Sequence, residues 1–256
     1  MDLEPLIRFC RAYDDLFDRV EPSWWGAVVS DRRFPKIHDV NYARVETRQP
    51  VGLTEIEERL LPSMERSGSH RPHVVVFHAD DQSDLVVEAS TRGEHLVWDL
   101  VMSQRGAPAD DDPRVRELHD LDDAFWAAHR ASLEWFGVVE GDVVDELQAM
   151  ERLVTVPGGR RWLAGASGSR IDALAAVLVL EGVGYLDHVV TFPWARRRGL
   201  ASALTRRAVA EATKAGAERT YLLADPGSAA VRMYEGLGFS PVAQLASWIS
   251  RRTGGD

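Results

Sequence analysis

The run from Val189 to Ala201 constrains the fold of this chain more than any other stretch. It begins with four apolar or β-branched residues, which predict a strand that Pro193 ends. Three arginines and Gly199 follow, and the apolar spacing then changes from two residues to three or four, as in a helix. A strand that turns into a helix in this way points free backbone N–H groups at one place. The sequence therefore predicts an anion site there, and so a ligand that carries phosphates.

By itself this segment is equally compatible with an ordinary strand-to-helix turn whose arginines face solvent. The chain contains no Gly-x-x-x-x-Gly-Lys-Ser/Thr and no Gly-x-Gly-x-x-Gly, so it lacks the phosphate loop of nucleotide hydrolases and the dinucleotide-binding fingerprint. A second segment decides between the two interpretations. From Thr220 to Phe239 the sequence predicts a strand and then a short helix, which carries Tyr234 and ends at Gly238.

Together the two segments resemble the GNAT superfamily of acyl-CoA-dependent N-acyltransferases. The first matches the family's Arg/Gln-x-x-Gly-x-Gly/Ala motif after a strand, and the second matches its Leu/Met-Tyr-x-x-x-Gly-Phe helix. The resemblance covers about residues 114–252 and implies an α/β fold with a mixed, mostly antiparallel sheet flanked by helices. The matching residues are Arg196, Gly199 and Ala201 in the first motif and Met233, Tyr234, Gly238 and Phe239 in the second.

The resemblance also implies how acetyl-CoA, the cofactor of this family, is bound, with coenzyme A as the product. The strand before the loop would part from its neighbour, so that its backbone groups hold the pantetheine arm. The amide of Val190 would polarise the thioester carbonyl, and amides from Arg197 to Ala201 would hold the pyrophosphate. The family often has asparagine before the second helix, where Ser228 is equally explained as a simple N-cap. The implied cofactor-binding residues are Val189, Val190, Thr191, Arg196, Arg197, Arg198, Gly199, Leu200, Ala201 and Ser228.

Tyr234 is the candidate general acid. A thiol leaving group has a pKa of about 8.5 and a phenol one of about 10, so the phenol is able to protonate the departing thiolate. A buried tyrosine that packs on its neighbours is the alternative. No general base is assigned from Glu181, Asp187 and His188 on the predicted central strands, because strand alternation places Asp187 and His188 on opposite faces.

Composition excludes several kinds of ligand. A net charge of −10 argues against nucleic acid and weakly favours a cationic amine as acceptor. No window reaches the ~18 apolar residues of a membrane span. No metal is expected, because no nearby cysteine, aspartate or glutamate has a spacing that completes a recognisable metal set with His70, His73 and His78. One cysteine, Cys10, and an acidic N-terminus without secretory features predict a cytoplasmic protein, which we expect to be a monomer or homodimer.

Residues 106–113 form the predicted linker, because they hold two prolines, a glycine and three consecutive aspartates. They separate residues 1–105 from a catalytic domain at residues 114–256. Residues 1–105 repeat the strand–helix–strand pattern without either motif, which resembles the cofactor-free, degenerate half of a tandem GNAT protein. An unrelated α/β cap is the alternative. In both cases we expect this half to shape the substrate cleft.

The expected activity is acetyl-CoA-dependent N-acetylation, by direct transfer to a primary amine of a small molecule or peptide in a ternary complex. Cys10 is remote in sequence from the two motifs and is a poor candidate nucleophile. A non-catalytic acyl-CoA-binding regulatory module and a transferase for a longer acyl group are the alternatives.

Overall fold

The computed structural model describes residues 3–106, 112–167 and 170–250, apart from the side chain of Ser167. Residues 107–111, the middle of the predicted linker, lie outside the described residues. The chain forms two compact units, Met1–Val101 with Val242–Asp256, and Met102–Pro241.

The described helices are α1 (Glu4–Asp14), α2 (Leu53–Ser67), α3 (Ser83–Thr91), α4 (Asp123–Leu133), α5 (Gly141–Met150), α6 (Leu200–Lys214) and α7 (Ala229–Gly236). The strands are β1 (Arg19–Ser23), β2 (Gly26–Ser30), β3 (Tyr42–Val45), β4 (His73–Val76), β5 (Val97–Gln104), β6 (Val115–Leu118), β7 (Arg161–Ser167), β8 (Arg170–Leu180), β9 (Val183–Thr191), β10 (Arg219–Ala224) and β11 (Ser240–Ile249).

The first unit contains strands in the order β1-β2-β3-β4-β11. All neighbours are antiparallel except β3 and β4, which are parallel and are connected through α2. Helix α2 forms because its apolar residues recur every three or four positions and face one core. That core includes Leu53, Ile56, Leu60 and Met64 of α2 with Trp25, Val45, Val76 and Trp248.

The second unit contains strands in the order β10-β9-β8-β7-β6, antiparallel except for the parallel pair of β9 and β10. Helix α6 connects that pair and packs closely on the sheet, since a Cβ on Gly184 would lie 2.9 Å from Cβ of Ala212. Gly165 of β7 also faces α6, whereas its neighbour Ala164 belongs to a core with Phe125 of α4. Helices α4 and α6 therefore cover opposite faces of this sheet.

The mixed, mostly antiparallel sheets with flanking helices confirm the predicted fold class. The last strand differs from expectation, since we assigned it to the second domain. The described residues from Val242 to Ser250 belong to the first unit, because Ala246–Ile249 of β11 pair with His73–Val76 of β4. The division into domains at 1–105 and 114–256 stays a prediction. Among the described residues, no helix combines the length and apolar character that crossing a membrane requires.

Candidate active site

Strands β9 and β10 part in the middle of the second unit. Their parallel pairing runs from Val183 to Tyr185 on β9 and ends at Tyr221 on β10. Within the described residues they pair no further, although β9 continues to Thr191 and β10 to Ala224. The edge of β9 after Tyr185 is therefore open towards β10, and this is the parting of strands that the resemblance implied.

A β-bulge at His188 changes which side chains share a face. Ala176 of β8 lies opposite Asp187, but Leu174 lies opposite Val190, so β9 holds one extra residue. His188 takes up this residue with φ of 54°. We expected Asp187 and His188 on opposite faces, and this was wrong. Regular alternation fails at the bulge, and both side chains lie on the face covered by α4.

The direction of the backbone amides follows from the strand register. The N–H of Phe192 donates to the carbonyl of Asp172 in β8, with N and O 3.0 Å apart. Successive amides of a strand point to opposite edges, so the amide of Thr191 points to the open edge and that of Val190 to β8. We expected the amide of Val190 to face the cofactor, and this register instead favours Val189 and Thr191. The Oγ1 of Thr191 is buried and has no hydrogen-bond partner among the described residues.

The loop after β9 turns into α6 through two residues in the left-handed region, Arg197 with φ of 59° and Gly199 with φ of 77°. No atom lies within 4 Å of the position that a Cβ on Gly199 would occupy. The first helical hydrogen bond is from the N–H of Ala203 to the carbonyl of Gly199. The N–H groups of Leu200 and Ala201 consequently have no hydrogen-bond partner within the helix, and the space beside Gly199 is open to a ligand.

The three arginines of this loop have different surroundings. Arg196 donates from Nε to the carbonyl of Thr191 at 3.1 Å, and its guanidinium lies 4.5 Å from the ring centroid of Trp135. Arg197 and Arg198 are exposed. The carbonyl of Arg198 accepts a 2.8 Å hydrogen bond from Arg114, which sequence patterns did not single out. Arg114, which is not part of the Arg-x-x-Gly-x-Ala motif, therefore stabilises the loop between β9 and α6.

Comparison with known proteins identifies this part of the chain. Residues 116–239 match the model of the acetyltransferase (GNAT) family. These residues are a GNAT acetyltransferase domain. Acetyl transfer from acyl-CoA is the general chemistry of this family, so the domain is an acyltransferase. Comparison with curated proteins gave no match.

Solved structures resemble the chain in fold. A functionally unknown conserved protein from Staphylococcus epidermidis ATCC 12228 is 10% identical with a TM-score of 0.70, covering 98% of this chain and 97% of that one. A GCN5-related N-acetyltransferase from Kribbella flavida is 17% identical with a TM-score of 0.63, covering 98% and 95%. A protein from Novosphingobium aromaticivorans DSM 12444, named for the GNAT family, is 23% identical with a TM-score of 0.47, covering 60% of this chain and 64% of its own.

Tyr234 of the GNAT domain lies on α7 and is buried, with its ring edge-on to Phe239 at 5.7 Å. Burial, assisted by the charge of Asp187, raises the pKa of Tyr234 to about 12. Its hydroxyl therefore keeps its proton throughout the neutral range. Ser228 is the N-cap of α7, since its Oγ accepts from the N–H of Val231 at 3.4 Å.

His188 lies in a cluster of rings in the GNAT domain. It stacks on His129 at 5.1 Å and contacts Trp162 at 4.9 Å and Phe136 at 4.7 Å. Its Nε2 lies 2.6 Å from Oγ of Ser132, which in turn lies 2.6 Å from the carbonyl oxygen of His129. A carbonyl only accepts, so Ser132 donates to it and the proton between Ser132 and His188 is on Nε2. Nδ1 of His188 is left with a lone pair.

Both histidines of the cluster are neutral at pH 7. Desolvation lowers the pKa of His188 to about 4, an effect that Asp187 opposes and Arg160 reinforces. Desolvation and the charges of His188 and nearby arginines lower the pKa of His129 to about 3. Burial would raise the pKa of Asp187, but Arg160 and His188, through their charges and hydrogen bonds to the carboxylate, together lower it, and the carboxyl stays ionised. Sequence patterns did not single out Ser132 or Arg160, because neither belongs to a motif.

A second histidine cluster lies in the first unit. Nε2 of His38 is 3.3 Å from Oδ1 of Asp39, and Nδ1 of His73 is 3.9 Å from the same oxygen. Their donor atoms lie within 4.8 Å of one another. Nδ1 of His73 also faces the carbonyl oxygen of His38 at 3.4 Å, a hydrogen bond that would compete with a metal. We had grouped His73 with His70 and His78 instead, and the expected absence of a metal stays a prediction.

Proposed function

We propose that the GNAT domain is an acetyl-CoA-dependent N-acetyltransferase, which transfers acetyl directly to a primary amine of a small molecule or peptide in a ternary complex. One observation carries this proposal: the open edge of β9 is followed, after a loop at residues 192–199, by the N-terminus of α6, which no described side chain caps. Burial raises the pKa of the Cys10 thiol to about 12. A thiol that stays protonated is a poor nucleophile, which favours direct transfer over a cysteine intermediate.

The residues present fit acetyl-CoA in their chemistry. The free N–H groups of Leu200 and Ala201 can donate hydrogen bonds to the diphosphate, and Arg197 and Arg198 beside them provide positive charge. Amide-containing pantetheine suits the open edge of β9, towards which the N–H groups of Val189 and Thr191 point, whereas the carbonyl of Thr191 already accepts from Arg196. The cofactor supplies an activated acetyl thioester. The amide of Val189, on the open edge after the bulge, is the donor we assign to its carbonyl oxygen, where negative charge develops during attack.

Two side chains account for the protons. Tyr234 gives its hydroxyl proton to the sulfur as the C–S bond breaks. Nδ1 of His188 accepts a proton from the amine nitrogen as that nitrogen bonds to the acetyl carbon, and both side chains then exchange with water. A pKa of about 4 makes His188 a weak base. It is nevertheless sufficient, because a nitrogen that has added to a carbonyl carries positive charge and is far more acidic than a free ammonium.

The anion site is tested at Gly199. Valine does not adopt the left-handed φ of 77° without strain, so Gly199→Val should displace the amides of the loop and weaken coenzyme A binding about tenfold or more. Isothermal titration calorimetry measures this. Gly216, at the other end of α6, has φ of 90° and is equally open, so Gly216→Val is the matched control. Equal affinities in the two variants would contradict the assignment.

The proton acceptor is tested with His188→Gln, which we expect to lower kcat about 10²-fold and leave acetyl-CoA affinity unchanged. His70→Gln is the control, because His70 is exposed and lies outside the GNAT domain. An arylamine acceptor, which stays unprotonated above pH 5.5, isolates the enzyme's own titration. Neutral His188 is the active form and is lost only as pH falls through about 4, so kcat should be flat from pH 8 to about 5.5. A decline centred near pH 6.5 would show that an ordinary histidine controls the reaction.

A further inference from the structure

The side of the GNAT domain near His188 is lined by rings. Phe136 contacts His188 at 4.7 Å between ring centroids, and 51% of Phe136 is exposed. His129 and Trp162 are buried and contact the same imidazole. An apolar group of a ligand that packs on exposed Phe136, next to the buried rings of His129 and Trp162, is removed from water. Its burial contributes favourable free energy of binding.

The position of the Phe136 ring is set by the turn that carries it. Phe136 ends a 3₁₀ turn, Glu134–Phe136, that follows α4 and stops at Gly137 with φ of 77°. Next to it, Trp135 lies under the guanidinium of Arg196, which also binds the carbonyl of Thr191. The aromatic turn is thereby tied to the end of β9, where the acetyl group is expected.

Three carboxylates near these rings are paired with arginines. Arg160 binds Asp187 at 2.7 Å and Glu151 at 3.3 Å, and Arg130 binds Asp145. A polyamine or aminoglycoside needs additional carboxylates for its further ammonium groups, and these three are already engaged by arginines. These three carboxylates therefore add nothing to the preference for a polycation that the net charge of −10 weakly favours, although Glu134, in the same turn as Phe136, is exposed.

We infer that the acceptor is a monoamine with an aromatic or large apolar substituent, which packs on Phe136 and directs its nitrogen to His188. This inference rests on the proposed acetyl transfer and narrows it to a substrate class. The new bond joins the amine nitrogen to the acetyl carbon, and the C–S bond breaks. One N–H proton passes to Nδ1 of His188, and the sulfur leaves as a thiol with the proton of Tyr234.

The test compares 2-phenylethylamine with spermidine on the full chain with acetyl-CoA, following thiol release. We expect kcat/KM for 2-phenylethylamine to exceed that for spermidine at least about tenfold. Phe136→Ala should raise KM for 2-phenylethylamine about tenfold while coenzyme A affinity stays unchanged, and Phe136→Leu should recover part of the loss. Val139 is 71% exposed farther along the same loop, so Val139→Ala is the control.

Preference for spermidine, or a Phe136→Ala variant that matches Val139→Ala, would overturn the inference and leave acetyl transfer standing. If calorimetry detects acetyl-CoA binding but neither amine nor an arylamine releases thiol, the proposed transferase activity fails, and the acceptor assignment fails with it. The two failures are therefore distinguishable.

Discussion

We expect Tyr234→Phe to lower kcat at least about 10²-fold while acetyl-CoA affinity stays within about twofold. The substitution removes only the hydroxyl, so the ring keeps its edge-on contact with Phe239 at 5.7 Å. Without that hydroxyl the departing sulfur has no proton donor on α7 and must leave as an unassisted thiolate. Steady-state kinetics by thiol release and calorimetry with acetyl-CoA separate the two effects.

The raised pKa of Tyr234 adds a second readout. At a pKa of about 12 the phenol is a weaker acid than free tyrosine, so the proton moves only as the C–S bond breaks. Because Tyr234 stays protonated, kcat should show no loss from its ionisation between pH 7 and about 10. Tyr13→Phe, in the other compact unit, is the control variant. Equal kcat for Tyr234→Phe and Tyr13→Phe would remove the residue from the mechanism.

The second large effect is on stability. Trp248→Ala should lower the free energy of unfolding by about 3–5 kcal/mol, because it leaves a cavity in the core of the first unit. Trp248 is 2% exposed and belongs to the same core as Trp25 and Ile56. It lies on β11 opposite Val74 of β4. Urea denaturation followed by circular dichroism measures the change.

Trp98→Ala is the matched control, since Trp98 lies in the same unit and is 38% exposed. Trp98→Ala should lower the free energy of unfolding much less than Trp248→Ala, because removing a partly solvated ring leaves no closed cavity. If the two variants unfold at the same urea concentration, the last strand does not stabilise the first unit as the pairing of β11 with β4 implies.

Local patterns were enough to predict the elements that carry the motifs. Gly199 is a glycine where the backbone requires φ of 77°, and α6 begins at the next residue. Ser228 caps α7, the short helix expected to carry Tyr234. Each of these features depends on a few neighbouring residues, and propensity and capping act over that range.

Other parts of the candidate site depend on partners far away in sequence. Strand alternation mispredicted His188, because the bulge exists only where β9 pairs with β8. The contacts of Ser132 and Arg160 with β9 require α4 and the start of β7 to pack on one face of the sheet. Nothing in the flanking residues indicates such contacts.

The sequence alone determined the class of fold, the family of the second half and the position of the strand-to-helix loop that we propose binds the diphosphate, because backbone geometry at such a turn is encoded locally. Tertiary structure decided which amides of β9 face the open edge, which histidine offers a lone pair, and which unit the last strand joins. Those outcomes follow from strand register and side-chain packing between distant segments, and a shift of one residue in register reverses the faces.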